Sequence, residues 1–575
     1  MWKTYKRYFE FLVRYRASFF VFGVLLTILG IINSINPYFY KLFVEALPEK
    51  NYQVILNLLL MYIGVNVTET VMDVVTYYVG DIVLFNAARD ARERIFKKIQ
   101  DLDFAYHMTK SSGSLISMLK RGDIAYFGLF QEMNVLYRIL IHLVVMLTMF
   151  GSISPQIAWL MASSFVVSTI ASKYLLEHNL ATRKAFNKEE DKVSAVVVDN
   201  LINYETVKYF GKESKEQARL SRVFSPWMTK LWRYANSFRL IDVVIGSISA
   251  AGLGAVLYVS LRLYMQGVIQ VSDFILILGF VTSFYYRFFE AVFRMRVVIK
   301  NYSDLSDYFA ILDKETVVKD PVKPVKIKSL KGDIEFSKVS FSYEDGKQDA
   351  LKNFSLKIRR GQSIAFVGKS GVGKTTVVKL LLRFFDVNSG SIMIDGVDIR
   401  EFDKDALRSH LGVVPQEPVM FNNSIAYNIG YGANRGSKKE IEAAAKMAHL
   451  DEFVLSLPKG YKTNVGERGV KLSGGQKQRL AIARMILSNP DIVIFDEATS
   501  QLDSESEKYI QDAFWEASKD KTTIIIAHRL STVVKADKIV VMDEKGIAEI
   551  GSHRELVNKK GGLYKKYWDL QVEEI

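Results

Sequence analysis

Long apolar runs alternate with charged stretches in the first half of the chain, and this pattern predicts a membrane domain made of helices. Six of the runs approach the ~20 apolar residues that a helix needs to cross a bilayer. The charged stretches after the second and fourth runs keep a helical periodicity, so we expect those helices to continue well beyond the membrane at ~1.5 Å per residue. The predicted spans are centred on residues 19–40, 54–77, 139–153, 157–176, 241–264 and 274–292.

The distribution of lysine and arginine predicts the orientation of these spans. The N-terminal segment and the first long loop are basic, whereas the connections 152–156 and 265–273 contain no Lys or Arg and the connection 45–52 contains only Lys50. Basic connections stay on the cytoplasmic side of a membrane. We therefore expect both termini and both long loops in the cytoplasm or matrix, with the chain embedded in a bacterial plasma membrane or an organelle membrane.

The sequence also predicts where the domains begin and end. The first residues interleave aromatic and basic side chains, which is typical of an amphipathic helix in the membrane interface; no small-residue cleavage site follows, which disfavours a signal peptide. Residues 317–328 contain two prolines and no sustained periodicity, as linkers do. The predicted parts are an interfacial helix (1–16), an all-α membrane domain (17–316, with long loops at about 86–130 and 178–240), a linker (317–331) and a soluble α/β domain (332–575).

Composition narrows the possible function classes. A chain of 575 residues can hold two or three cores, and its 49% hydrophobic and 24% charged residues are unevenly distributed between the two halves. The net charge of +14 fits the lysines and arginines that membrane proteins collect in cytoplasmic segments, so we expect a lipid bilayer and no nucleic acid as partner. The absence of cysteine excludes disulfides and thiolate metal sites.

A predicted strand, a glycine-rich loop and a predicted helix follow one another early in the second half. The apolar run 363–367 leads into Gly368-Lys-Ser-Gly-Val-Gly-Lys-Thr375, and residues 376–385 have a helical pattern. This order is the context of a phosphate-binding loop, in which backbone N–H groups curl around phosphate oxygens. Lys374 is expected on the β- and γ-phosphates and Thr375 on Mg²⁺. The candidate nucleotide contacts are Gly368, Ser370, Gly371, Gly373, Lys374, Thr375 and Thr376.

A second predicted strand, at 491–495, delivers two acids at its carboxyl end. Asp496 suits coordination of Mg²⁺, and Glu497 suits a general base that polarises the attacking water. A helix-capping acidic pair is the alternative explanation.

The segment Leu472-Ser-Gly-Gly-Gln476 lies between the glycine-rich loop and the two acids. Short Ser/Gly strings are common in loops, but this order indicates a loop that caps the γ-phosphate bound by a second copy of the domain. Its candidate contacts are Ser473, Gly474, Gly475 and Gln476. All the complementary parts lie on one polypeptide, so an identical second chain is favoured, and a different chain of the same kind is the alternative partner.

Together, these motifs resemble the ATP-binding-cassette family over essentially the whole chain. Six spans followed by one cassette resemble its half-size exporters, and Gly466-Glu-Arg-Gly469 resembles an exporter-type segment. The resemblance implies a primary active exporter that uses ATP and Mg²⁺ and moves an amphipathic compound by alternating access. It also implies roles for Tyr343 (stacking on adenine), Gln416 (contact with Mg²⁺ or water), Asp503 (the D-loop) and His528 (holding the γ-phosphate and water).

Two groups of residues are candidates for coupling and for cargo binding. Segments 104–114 and 199–208 fall near the middle of the long loops and are either coupling helices or simple helix-hairpin turns. Ionisable residues inside spans are costly and therefore functional candidates. A cationic and aromatic surface would bind an amphipathic anion or a peptide; alternatively, Arg287 pairs with Glu290 on one helix and the aromatic residues face lipid or the core. The candidate cargo contacts are Arg138 and His142 on the third span, and Tyr285, Arg287, Phe288 and Glu290 on the sixth.

The cargo itself stays open at this point. Residues 101–107 and 203–211 are similar to segments of the mitochondrial-type exporters and their bacterial relatives, which move glutathione-linked or metal-related compounds. The sixth span departs from the Pro- and Leu-containing pattern of that branch, so a multidrug, lipid or peptide exporter is an alternative. A nucleotide-gated channel is a more remote one, because Glu497 favours turnover, and the six spans disfavour a soluble cassette ATPase.

Overall fold

The computed structural model describes residues 2–109, 112–343, 349–433, 436–496, 504–527, 529–544 and 546–573. The chain divides into two compact units. The first comprises Met1–Asp101 and Ser111–Lys314, and the second comprises Leu102–Lys110 and Glu315–Ile575. Glu497, Asp503 and His528, three of the predicted site residues, lie outside the described residues.

Very long helices dominate the first half of the chain. Among the described residues, six of them contain a stretch long and apolar enough to cross a membrane, which confirms the predicted number, and each predicted span lies inside one of them. The longest has 53 residues, or ~80 Å, far more than a bilayer requires. The helices are α1 (Trp2–Val13), α2 (Arg16–Ala46), α3 (Tyr52–Asp101), α4 (Phe104–Thr109), α5 (Ser112–Ile153), α6 (Pro155–Ile202), α7 (Tyr204–Tyr209), α8 (Glu213–Met265) and α9 (Val271–Ala310).

Local sequence explains several of the helix boundaries. Ser154 and Pro155 stand at the start of α6, where the fixed φ of proline suits the first helical turn. Gln270 and Asp273 form a reciprocal capping box at the start of α9. The predicted coupling segments each contain a short helix, α4 and α7, at the point where two long helices are joined.

The long helices of the first unit pack in pairs, with α6 along α8, α5 along α9 and α2 along α3. A buried cluster that includes Phe150, Val256, Phe280 and Phe284 forms part of its core. Helix α8 approaches α9 closely at Gly252, where an added Cβ would lie 2.0 Å from the Tyr285 hydroxyl oxygen. A small residue at this position is therefore a condition of the packing.

The second unit contains the predicted α/β domain together with the predicted linker and residues 102–110 of the first long loop, and its described residues form two sheets. Its strands are β1 (Ile334–Phe341), β2 (Leu351–Ile358), β3 (Ser363–Val367), β4 (Ser389–Ile394), β5 (Val397–Asp398), β6 (Leu411–Val414), β7 (Ile492–Asp496), β8 (Thr522–Ile526), β9 (Lys538–Asp543) and β10 (Gly546–Gly551). Its helices, after α4, are α10 (Lys374–Leu381), α11 (Lys404–Ser409), α12 (Ile425–Gly430), α13 (Lys438–Met447), α14 (Asp451–Ser456), α15 (Gly474–Ser488), α16 (Ser504–Ala517), α17 (His553–Val557) and α18 (Leu563–Glu573).

The larger sheet positions the nucleotide motifs. Its order is β10-β9-β3-β8-β7-β6, and β9, β3, β8, β7 and β6 run parallel. Alternate residues of β3 enter two different cores: Ile364 and Phe366 pack on one side, and Ala365 and Val367 on the other. Burial on both faces explains why this strand is a continuous apolar run. The smaller sheet is antiparallel, with the order β2-β1-β4-β5.

Candidate functional site

The predicted phosphate-binding loop joins β3 to α10 and requires glycine at its tight points. Gly368 has φ 153° and Gly373 has φ 98°. A Cβ at Gly368 would lie 2.3 Å from the Met542 carbonyl oxygen, and one at Gly373 would lie 2.5 Å from that of Ala350. The loop is thus held against neighbouring backbone at both ends, and only glycine fits there.

Lys374 is the buried cation of this loop. Its side chain is almost fully enclosed, and Nζ donates to the carbonyl oxygens of Gly368 (2.7 Å) and Lys369 (2.9 Å). The ammonium group therefore lies inside the curl of the loop, next to the backbone that would surround a phosphate. Thr375 and Thr376 follow in the first turn of α10, and Lys369, Ser370 and Gly371 form the exposed part of the loop.

The sheet register brings Asp496 to the same edge as this loop. Asp496 lies opposite Ile526 on β8, and Ile526 lies opposite Phe366 on β3, two residues before Gly368. The carboxyl ends of parallel strands are where ligands bind in such folds. Gln416 reaches the same edge, because it follows β6, whose last residue pairs with Phe495.

Gln478, which no sequence motif marks, fixes the backbone around Gln416. It is buried on α15, and Nε2 donates to the carbonyl oxygens of Gln416 (2.7 Å) and Pro415 (3.3 Å). The sequence signal that could identify Gln478 is an amide on the apolar face of a helix, since a buried amide needs hydrogen-bond partners. Helix α15 is therefore tied directly to the segment that follows β6.

The predicted signature segment forms the start of α15. Ser473 caps the helix: its Oγ accepts from the Gln476 backbone N–H at 3.3 Å, and Gln476 Oε1 accepts from the Ser473 N–H at 2.9 Å. Ser473 and Gly474 are exposed, and Gly475 is buried. The side chain of Gln476 thus serves the capping box, and the exposed N-terminal turn of α15 offers backbone N–H groups to an anion.

Tyr343 lies against the helix that follows the phosphate loop. Its hydroxyl is 3.2 Å from Thr376 Oγ1, and its ring meets Phe385 edge-on at 5.3 Å. Lys379 Nζ lies 5.8 Å from the ring centroid. The predicted adenine contact is therefore half-buried beside α10, in an aromatic group that also includes Phe341.

Helix α4 belongs to the second unit, where its Phe104 ring packs against two phenylalanines. Phe104 stacks on Phe384 at 4.6 Å between ring centroids and 7° between planes, and it meets Phe385 edge-on. Lys379 Nζ lies 5.8 Å from the Phe104 ring as well. Phe385 and Lys379 therefore contact both Tyr343 and Phe104, so the candidate adenine site and α4 share a wall.

A cavity of about 410 Å³ opens among four helices of the membrane unit. Four of the six predicted cargo contacts line it, and their neighbours on α2 and α3 were not predicted. The ionisable residues Glu69 and Asp73 lie on the second span and could have been found by the rule that selected Arg138. The lining residues are Leu29, Gly30, Asn33, Glu69, Thr70, Asp73, Tyr77, Val135, Arg138, His142, Arg287, Glu290 and Arg294.

The charges of this cavity are balanced and mostly paired. Three arginines face three carboxylates, which contradicts the expected cationic surface. Arg138 pairs with Asp73 at 3.1 Å and also donates to the Tyr77 hydroxyl at 2.8 Å. Arg294 pairs with Glu290 at 3.0 Å and with Glu132 at 3.2 Å. Pairing of this kind is what makes charges tolerable inside spans.

Two of the predicted cargo contacts do not line the cavity. Tyr285 is buried and its hydroxyl donates to Ser164 Oγ at 2.8 Å, and Phe288 is buried against Ile241 and Ile245. The structure agrees with the alternative that these two aromatic residues lie in the core. It does not show the alternative ion pair between Arg287 and Glu290, because Glu290 pairs with Arg294.

His142 lines the cavity but also joins three helices. Its Nδ1 lies 2.8 Å from Ser34 Oγ on α2, and its Nε2 lies 3.2 Å from Ser283 Oγ on α9. Both ring nitrogens therefore have hydroxyl partners, and the imidazole holds α5 in place between α2 and α9.

Comparison with known proteins identifies the family. Residues 19–288 match the description "ABC transporter transmembrane region", and residues 351–500 match "ABC transporter". The chain belongs to the ABC transporter family, whose members hydrolyse ATP to drive transport. Within that family the chain is similar to the Atm1-type exporters, which confirms the resemblance drawn from the motifs.

Individual relatives support this placement. The ATM1-type heavy metal exporter of Novosphingobium aromaticivorans is 32% identical over 591 residues, covering all of this chain and 96% of that protein. The mouse ATP-binding cassette sub-family B member 6 is 38% identical over 493 residues, and the match covers 84% of this chain but only 58% of the mouse protein. A solved structure of a bacterial Atm1-family ABC exporter with ATP bound superposes with a TM-score of 0.87 at 31% identity, covering 97% of this chain and 98% of that one.

Proposed function

We propose that two copies of this chain form an exporter that hydrolyses ATP to move a small molecule across a membrane. The observation that carries this proposal is the sheet edge at which the loop around buried Lys374 and the carboxylate of Asp496 lie together. The same chain has six helices long and apolar enough to span a membrane among its described residues. A cavity lined by charged residues in the membrane unit supplies a candidate cargo site.

The residues at the sheet edge fit Mg²⁺ and ATP. Thr375, Gln416 and Asp496 offer a hydroxyl, an amide oxygen and a carboxylate, and hard oxygen donors are the ligands that Mg²⁺ prefers. When bound, Mg²⁺ neutralises charge between the β- and γ-phosphates. Lys374 would exchange its two carbonyl partners for phosphate oxygens, and Tyr343 would stack on the adenine.

We assign the hydrolytic step to two further residues. Glu497 takes a proton from the attacking water as general base, and His528 holds that water and the γ-phosphate. The family resemblance also assigns Asp503 to this step as the D-loop residue. Replacing Glu497 with Gln keeps the size of the side chain but removes the base, so hydrolysis by the purified protein in lipid nanodiscs should stop while ATP stays bound. Sustained hydrolysis by this variant would reject the assignment.

A second, identical chain would complete each site. Ser473 and Gly475 of one copy would contact the γ-phosphate held by the other, through the exposed first turn of α15. Exposed apolar residues at the tip containing α7, including Ile202, Tyr209 and Phe210, offer a surface for such a copy. Co-purification of two differently tagged forms of this chain tests the homodimer, and recovery of one tag alone would favour a different half-transporter.

The positive-inside distribution of Lys and Arg supports a cytoplasmic location of the ATP site, and the similarity to exporters supports movement of cargo out of the cytoplasm. ATP-dependent uptake into inverted vesicles should therefore occur, whereas passive flux gated by nucleotide would indicate a channel. Release of ADP and phosphate opens the closed pair of cassettes. The cytoplasmic ends of the long helices pass that change on to the spans, which alternate between inward-open and outward-open states.

A metal-related or glutathione-linked cargo is a second candidate. It is supported by the names of relatives, which include an ATM1-type heavy metal exporter and the heavy metal tolerance factor 1 of Caenorhabditis elegans. Stimulation of ATP hydrolysis by such compounds, compared with amphipathic anions, lipids and peptides, separates the candidates.

A further inference from the structure

One amide in the membrane cavity separates an arginine from a carboxylate. Asn33 on α2 donates through Nδ2 to Glu69 Oε1 on α3, and its Oδ1 accepts a hydrogen bond from Arg287 on α9. The other Glu69 oxygen accepts from Asn36 Nδ2 at 3.4 Å. Glu69 and Arg287 are therefore bridged by a neutral group instead of pairing with each other.

These two residues differ from the other charges that line the cavity. Arg138 is neutralised by Asp73, and Arg294 is neutralised by Glu290 and Glu132. Across the ranges that the structure describes, Arg287 and Glu69 form no ion pair, although both line the cavity. A charge inside a span that has only amide partners is poorly compensated and gains most from an ionic ligand.

We propose that the cavity binds a small zwitterion, whose carboxylate pairs with Arg287 and whose cationic group pairs with Glu69. Both charges of the ligand then replace or supplement an amide partner with an ionic one, and hydrogen bonds between ionised groups are about twice as strong as neutral ones. Asn33 acts as the spacer that keeps the two protein charges apart. This inference rests on the proposed function, in which the cavity is the cargo site.

Charge balance and size support the same ligand class. Three lining arginines face three lining carboxylates, and Glu132 adds a fourth carboxylate beside Arg294, so the site has no spare positive charge and an anion would place a second negative charge beside Glu69. The volume of about 410 Å³ lies near the lower end of the range for small-molecule pockets, about 300–1,000 Å³. A dipeptide or an amino-acid conjugate is of suitable size.

Three probes of one scaffold test the charge requirement in the full-length protein in lipid nanodiscs. The dipeptide alanyl-phenylalanine is the zwitterion, its N-acetyl form is the anion and its C-terminal amide is the cation. We expect the zwitterion to bind at least ~10-fold more tightly than either blocked form, because each lost ionic hydrogen bond is worth a factor of that order. Binding is measured by titration calorimetry, and ATP hydrolysis is measured in parallel.

Two near-isosteric variants separate the two ends of the site. Glu69→Gln should remove the preference for the zwitterion over the anion but keep its preference over the cation blocked at the carboxylate. Arg287→Gln should do the opposite. Glu216→Gln and Arg219→Gln, which change a cytoplasmic ion pair of α8 outside the cavity, are the matched controls and should bind all three probes like the wild type.

Each other outcome rejects a defined part of the reasoning. Tighter binding of the anion, or equal binding of all three probes, overturns the zwitterion but leaves the cavity as a cargo site. Absence of binding by every probe, with normal ATP hydrolysis, overturns the zwitterion site itself. Absence of ATP hydrolysis by the wild type, with tight zwitterion binding, instead overturns the proposed function and leaves this inference standing.

Discussion

Removing the Phe104 ring should uncouple ATP hydrolysis from the membrane unit. Phe104 makes two aromatic contacts, with Phe384 and Phe385, and one cation–π contact with Lys379. Such aromatic pairs contribute ~0.5–1.5 kcal/mol each, and an exposed cation–π contact contributes ~0.5–1 kcal/mol. Because the contributions are not fully additive, Phe104→Ala should weaken docking of α4 by about 2 kcal/mol, or roughly 30-fold in the docked-to-undocked ratio.

The assay compares basal and cargo-stimulated hydrolysis in nanodiscs, together with hydrogen exchange of the α4 amides. We expect faster exchange and a loss of stimulation, with ATP binding retained, because Tyr343 keeps its contacts with Phe341 and Thr376. Tyr106→Ala is the control on the same helix, since the Tyr106 ring contacts its neighbour His107. Wild-type stimulation together with wild-type exchange in Phe104→Ala would refute the coupling role of α4.

Three further predictions concern the cassette. Gly373→Ala should lower ATP affinity by at least ~10-fold in a nucleotide-binding titration, because its Cβ would lie 2.5 Å from the Ala350 carbonyl oxygen at a φ of 98°. The control is Gly361→Ala, which has a φ of 68° but open space around the Cβ and should bind ATP normally. Gln478→Leu removes two hydrogen bonds worth ~0.5–1.5 kcal/mol each that fix the backbone of Gln416, the proposed Mg²⁺ ligand, so the Mg²⁺ concentration needed for half-maximal ATP hydrolysis should rise. Burial lowers the pKa of His553, so the neutral form stabilises the fold above the unfolded pKa of ~6.5, and this stabilisation is lost as the pH falls below it. The protection factors of the α18 amides, which correct exchange for its intrinsic pH dependence, should therefore fall between about pH 7.5 and 5.5, and much less so in His553→Phe.

Short motifs in the cassette could be placed from sequence because their chemistry is local. The predicted strand at 363–367 coincides with β3, and the predicted strand at 491–495 is β7 shifted by one residue. The helix predicted at 376–385 ends at Leu381 instead. Arg383 there has φ 51°, and its buried guanidinium donates to the carbonyl oxygens of Phe402 and Lys319, contacts that a local pattern does not show.

The membrane cavity was only partly predictable, because its character depends on contacts between distant helices. The rule that charges inside spans are functional selected Arg138, yet Asp73 neutralises that residue from another span. The same rule selected Arg287 correctly but could not show that its partner is an amide. The third arginine, Arg294, was not selected and is doubly paired. Charge alone therefore selects too many residues as cargo contacts, and the kind of partner each charge has decides whether it is available to a ligand.

Asn33 is the residue on which that distinction depends. If an apolar residue stood there, Glu69 would lose one amide donor and Arg287 would lose its acceptor, and two unpaired charges in a span are costly enough to drive them together. An aspartate would neutralise Arg287 directly and leave a cavity with an excess of negative charge. Only a neutral group with both a donor and an acceptor holds the two charges apart while satisfying each of them. The availability of one positive and one negative charge to a ligand thus follows from a single polar side chain that carries no charge itself.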